Sequence, residues 1–193
     1  MPAILVNIAD ARARLPEFIV LDASLVLELR PGSSTRRPHP NHTLATNFLT
    51  RLSSAAQGGS VKPILPLLAF EECYFKLCQW ALEPFSGPLG ISWHTYYKRN
   101  PNVLAGVVPI LQTFHRILLA FPMEITEPED TAIQPRGRAP LLSIRIGEFI
   151  DRFSVLPRDA TILSETERLG INTVATLDGD WKRANGFTVI APP

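Results

Sequence analysis

The sequence predicts an α/β domain: helices on both faces of a central, mostly parallel sheet of about five strands. Three observations carry this. Short apolar runs, FIVL at 18–21, VKPILPLL at 61–68, MEIT at 123–126, INTVAT at 171–176 and FTVI at 187–190, have strand length and abrupt ends. Segments with apolar residues at helical spacing lie between them, and strands alternating with helices favour parallel pairing. The chain has 193 residues, 46% of them hydrophobic and 19% charged, which suits one domain with a sizeable core and excludes a disordered chain.

Each element follows from local chemistry. FIVL is unbroken and stops at Asp22, as a strand buried on both faces does. Residues 23–29 favour a short helix ended by Pro31 and Gly32, and 31–40 form a loop rich in Pro, Ser and Arg. Asn41 is placed to cap a helix to Gln57, with Leu44, Phe48 and Leu52 on one face and Gly58 and Gly59 at its end. The prolines of 61–68 predict an irregular, partly unpaired strand. A helix is expected over 70–82, with Phe70, Cys73, Leu77 and Trp80 on one face, followed by a loop at 84–88. Helices at 102–120, 140–153 and 157–169 follow, the last opened by Pro157 and closed by Gly170.

Residues 103–121 are apolar over most of their circumference but contain Pro109, Gln112, His115 and Arg116, so they read as a buried helix and not a membrane span. Cys73 and Cys78 fall on different helix faces, which excludes a local disulfide or metal pair and leaves two buried thiols in a reducing compartment. No signal peptide is visible at the N-terminus, and a cytoplasmic location is expected. The net charge of +1 supplies no steering field, so a polyanion would need local cations.

The acids are the informative feature. In open parallel sheets ligands gather at the carboxyl ends of strands. Asp22 ends the first run, Glu71 and Glu72 follow the second, Asp159 lies in the first turn after Pro157, and Asp178 and Asp180 follow INTVAT. Carboxylates gathered there repel one another unless a cation neutralises them. Hard oxygen donors without a His/Cys set select Mg2+ or Mn2+ over zinc, and such an ion acidifies water and clamps a phosphodiester. Acids in a first helical turn also serve the helix dipole alone, and LDGD also makes a turn, so the case rests on joint placement. No glycine-rich phosphate loop follows Asp22, which counts against a nucleotide-binding fold.

IVLDAS (19–24), LLAFEECYFKL (67–77) and PRDATILSETERLGINTVATLDGDW (157–181) resemble the PIN-domain family, and within it the VapC-type toxins of bacterial toxin–antitoxin pairs. The resemblance covers the two ends of the chain well and the middle poorly. It implies a PIN-like three-layer α/β/α sandwich spanning 1–193, with an N-terminal extension over 1–17 and an enlarged helical middle over about 84–155. It implies metal held by Asp22, Glu72, Asp159 and Asp178, with Asp180 as a further acid, and Ser24, Thr176 and Glu71 supporting them. Glu72 is preferred to Glu71 because Cys73, Tyr74 and Leu77 continue the apolar spacing behind it. Hydrolysis of RNA leaving a 5′-phosphate and a 3′-hydroxyl, and an antitoxin partner, are likewise implications of the resemblance. Separately, the apolar circumference of 103–121 exceeds what one sheet face needs to cover, which a homodimer surface, an antitoxin-binding groove or burial in an enlarged core would account for. Three departures are the late first strand, the long Arg/Pro/Ser loop and the stretch between Glu72 and Asp159.

Phosphate-binding candidates are Arg36, Arg37, Arg158, Lys182 and Arg183, with Lys98, Arg99, Arg136 and Arg138 further off. His39 and His42 are too isolated for a metal site. Trp93, Tyr96 and Tyr97 are expected to pack on the 102–120 helix, with base stacking as the alternative. A nuclease without an antitoxin, acting in RNA processing or on DNA, and a non-catalytic interaction module remain open.

Overall fold

A computed structural model describes residues 1–30, 39–127 and 142–193. The strands are β1 (Ile4–Asn7), β2 (Phe18–Leu21), β3 (Lys62–Pro66), β4 (Glu124–Thr126), β5 (Thr173–Ala175) and β6 (Thr188–Ala191). The helices are α1 (Ala23–Val26), α2 (His42–Gln57), α3 (Leu67–Ser86), α4 (Trp93–Arg99), α5 (Leu104–Ala120), α6 (Leu142–Phe153) and α7 (Pro157–Arg168). All strands pair in parallel in the order β1-β6-β5-β2-β3-β4, and helices flank the sheet. This is the expected α/β architecture, a central parallel sheet with helices around it.

The sheet has six strands rather than about five, because the N-terminal extension contributes β1, which pairs with β6 from Ile4↔Thr188 to Asn7↔Ala191. As an edge strand it leaves Ile4 and Leu5 exposed, even though residues 3–6 (AILV) are as apolar as the inner strands. The innermost strands are buried: Ile19, Val20 and Leu21 of β2 and Val174 and Ala175 of β5 are at most 1% exposed.

The prolines of β3 do not make it irregular. Lys62 donates to Glu17 O on the β2 side, and pairing with β4 begins only at Ile64, so the missing N–H of Pro63 has no strand opposite it. Helix α3 starts directly at Leu67 and runs through Pro84 to Ser86, replacing the expected loop at 84–88. A proline in the last turn removes only the bond to the carbonyl four residues back, and the Gly87 N–H still closes on Glu83 O. α4 was not expected; Ser92 caps it, its Oγ accepting from the Thr95 N–H at 3.1 Å.

α5 departs from the expected buried helix. Val107, Phe114 and Leu118 are buried, while Val108 and Leu119 are 44% and 72% exposed. By length and composition alone, residues 101–120 form the one helix among the described residues that could cross a membrane. Phe114 and Leu118 instead belong to the core of the α/β domain. Cys73 is buried as expected, but Cys78 is only half-buried. α7 ends as predicted, with Gly170 at φ 71° and the Ile171 N–H returning to Thr166 O.

Candidate metal and phosphodiester site

The site forms where β2 and β5 end side by side. Leu21 pairs with Ala175, and the Asp22 N–H donates to Ala175 O at 3.0 Å, so the next residues, Asp22 and Thr176, meet across 154 positions of sequence. Asp22 caps α1 and is 5% exposed. Its Oδ2 accepts from Ser24 Oγ at 2.5 Å, from Thr176 Oγ1 at 2.8 Å and from the Ser24 N–H at 3.3 Å. Ser24 Oγ accepts from the Leu177 N–H at 3.0 Å, and Thr176 Oγ1 from the Asp178 N–H at 2.9 Å. The two hydroxyls therefore tie the first acid to the backbone that presents the last one. Burial pushes the Asp22 pKa up, against the opposing pull of these hydrogen bonds and with a further rise from the Glu72 charge.

Glu72, in the second turn of α3, and Asp159, in the first turn of α7, complete the group. Asp22, Glu72, Asp159 and Asp178 all line one cavity of about 430 Å³. Asp159 is raised to about 7, first by desolvation and then by the charges of Asp22, Asp178 and Glu72. Four carboxylates thus feel one another at one sheet edge. Beneath them Cys73 is buried against Ala23 O, and burial together with the Asp22 and Glu72 charges holds its thiol well above its ordinary pKa. Among the described residues, no three His, Cys, Asp or Glu side chains stand close enough to enclose an ion as placed. What fits a divalent ion is the chemistry of the donor set: hard oxygens under mutual repulsion, which suit magnesium or manganese and not zinc.

The other predicted residues distribute unevenly. Asp180 is outside the cavity lining; its N–H donates to Asp178 Oδ1 at 2.9 Å, and its exposed carboxylate pairs with Arg183 at 3.2 Å. Glu71 is exposed, one position away from the lining residue Glu72. Arg158 reaches Glu72 at 3.4 Å, and Lys182 follows Trp181 in the turn after Asp178. Arg36, Arg37, Arg136 and Arg138 lie outside the described residues. The rings of Trp93 and Tyr96 pack on Phe75 and Phe85 of α3, so α4 leans on α3 where packing on α5 was expected.

The far wall of the cavity was not anticipated. It comprises Leu27, Glu28, Arg30, His39, Pro40, Lys76 and Trp80. Glu28 is 5% exposed and bonded to Arg30 at 2.8 Å and to His42 Nδ1 at 2.5 Å. Burial pushes its pKa up, but the bonds to Arg30 and His42 outweigh this and hold it below the ordinary value. The Arg30 guanidinium lies 5.1 Å from the Trp80 ring centroid. A signal for part of this wall was present: Glu72, Lys76 and Trp80 recur every fourth residue and so share a helix face.

No family profile matches the sequence, and no curated protein matches it. Solved structures that resemble the fold include two with near-complete coverage. One is VapBC2 from Rickettsia felis, solved bound to a DNA fragment from its promoter, with 11% identity, a TM-score of 0.49 and coverage of 90% of this chain and 98% of that one. The other is Mycobacterium tuberculosis VapC20, a sarcin–ricin loop cleaving toxin, with 14% identity, a TM-score of 0.48 and coverage of 86% and 94%.

Proposed function

We propose that this protein is a Mg2+- or Mn2+-dependent endoribonuclease acting on cytoplasmic RNA. The observation that carries the reading is the gathering of Asp22, Glu72, Asp159 and Asp178 around one cavity, where burial and then the charges of the other three raise the Asp159 pKa to about 7. Asp22, Glu72, Asp159 and Asp178 would hold the ion, with Asp180 the nearest further acid in the chain. When bound, the ion supplies charge neutralisation for the phosphodiester and acidifies attacking water. The residues of the chain do the rest. Ser24 and Thr176 fix the Asp22 carboxylate, and ion binding would displace the proton that Asp159 otherwise keeps below about pH 7. Arg158 beside Glu72 and Lys76 on the far wall flank the path of the RNA backbone with positive charge.

The uncovered apolar face of α5 favours a protein partner as well. An antitoxin is the partner we assign to it; a second copy of the chain is the alternative, distinguished by the solution mass of the isolated protein.

Manganese binding by calorimetry, on wild type and Asp22→Asn in parallel, tests the site, and RNA cleavage with end-group analysis tests the activity. Binding and cleavage by wild type, both lost in the variant, with 5′-phosphate and 3′-hydroxyl ends, support the reading. Full activity in Asp22→Asn sinks the site assignment. No manganese binding by either protein moves a non-catalytic interaction module to the front.

A further inference from the structure

An aromatic shelf adjoins the acidic cavity. Phe75 stands three residues after Glu72 and directly before Lys76, both cavity residues, so one helical turn joins it to the acids. Phe75 is 42% exposed. Trp93 meets it edge-on at 5.0 Å, and His94, exposed, stacks on Trp93 at 4.1 Å and 21° while lying 5.8 Å from Phe75. The second ring pair, Phe85 on Tyr96 at 6.4 Å and 10°, anchors α4 to α3. Neither Phe75 nor Trp93 is part of the core cluster.

Charge is laid out along the shelf. α4 contains no acid and ends in exposed Lys98 and Arg99, with Lys98 one turn from His94. Glu71 and Glu72 lie toward the cavity end of α3, and Glu83, which accepts from Gln79, lies toward the other. Acids where an ion would sit, exposed rings beside them and cations beyond match a polyanion whose bases need flat partners. Rings that stack bases together with cations that track phosphates are the physical requirements of single-strand binding.

We infer that Phe75, Trp93 and His94 form a stacking platform for the bases of single-stranded RNA next to the phosphodiester held at the acids. This rests on the ribonuclease reading and adds to it the strandedness of the substrate and the side from which it enters. Lys76 then lies between the platform and the acids, where the backbone phosphate of the first stacked nucleotide would pass.

The test is fluorescence-anisotropy titration of a labelled twelve-nucleotide single-stranded RNA into the full chain carrying Asp22→Asn, which prevents cutting. The same protein with His94→Ala or with Trp93→Ala is titrated beside it. His94→Ala is decisive, because an exposed residue can be truncated without disturbing the Phe75–Trp93 contact that seats α4. Binding weakened roughly tenfold by His94→Ala and at least as much by Trp93→Ala, with an RNA duplex of equal length bound more weakly by the parent, is the expected result. Unchanged affinity in His94→Ala overturns the platform even if Trp93→Ala, through loss of α4, binds poorly. Equal binding of the duplex, with equal losses, overturns base stacking. In both cases manganese binding and cleavage by wild type would leave the ribonuclease reading standing. Absence of RNA binding by the parent, together with absence of cleavage and manganese binding by wild type, overturns both.

Discussion

Asp159→Asn should stabilise the metal-free protein at alkaline pH and do little at acid pH. In the folded chain the Asp159 pKa is about 7, against an ordinary 3.8, so between these values the folded state keeps a proton that the unfolded chain releases. Stability is then greatest below the unfolded value, declines as pH rises and reaches its floor above about 7. At full strength a shift of this size is worth about 4 kcal/mol. Asp159 is only half-buried, and solvent screening reduces this to about 2 kcal/mol. Removing its negative charge from the first turn of α7 takes back about 0.5 kcal/mol of helix-dipole stabilisation. The variant should therefore gain about 1–1.5 kcal/mol at pH 8 by urea unfolding in chelator, an intermediate amount near pH 5, and close to nothing near pH 3, below the unfolded value. Millimolar Mn2+ should stabilise wild type at pH 8 by ligand linkage and leave the variant nearly unmoved. A variant less stable than wild type at pH 8, or a gain that does not fall towards acid pH, would refute electrostatic crowding at this cavity wall.

Two further perturbations separate the parts of the structure. Thr176→Val keeps the shape of a residue with no exposed surface but removes the bonds to Asp22 Oδ2 and from the Asp178 N–H; we expect a loss of about 1–3 kcal/mol in urea and weaker manganese binding by calorimetry. Glu165→Ala takes a buried carboxylate from between Arg145 at 3.0 Å and Arg168 at 2.6 Å, far from the cavity lining, and should cost about 3 kcal/mol while leaving metal affinity unchanged.

What the sequence discloses depends on how local the cause is. β2 and β5 are legible because strands buried on both faces must be apolar throughout, and α7 because Pro157 and Gly170 punctuate it. The acids are legible because each abuts such an element. β1 carries an apolar run, AILV at 3–6, that could have been read as a strand; what local reading could not supply is its place at the sheet edge, where Ile4 and Leu5 stay exposed. α4 is hidden by composition: WHTYYKR is rich in residues of middling helix propensity, and its ring contacts to α3 secure it. The Glu28–Arg30–His42 group escapes local reading because the helix after Asp22 and the start of α2 contribute to it from opposite sides of a loop. The excess apolar circumference of α5 is legible in the sequence, but apolarity alone does not distinguish a core helix from one with an uncovered face, and the exposure of Val108 and Leu119 settles that only in the structure.

Register explains why Asp22 and its partner Thr176 carry more of the fold than Glu72, Asp159 and Asp178 do. Asp22 and Thr176 meet because Leu21 stands opposite Ala175, and a slip of one residue between β2 and β5 would turn both side chains to the wrong face. The stiffest strands of the core thus set the geometry of the site's innermost acid, and the Ser24 and Thr176 hydroxyls recover part of the cost of desolvating it. Lys76 and Phe75 are held differently. They project from one helix, outside the strand ladder, and can be exchanged without disturbing it. The geometry of the acid at the β2 end is therefore bound to folding, whereas on the proposed reading the cations and rings beside the acids can change with the RNA. By this division, substitutions that alter RNA preference belong on the outer faces of α3 and α4, and substitutions at the strand ends should alter metal binding and stability together.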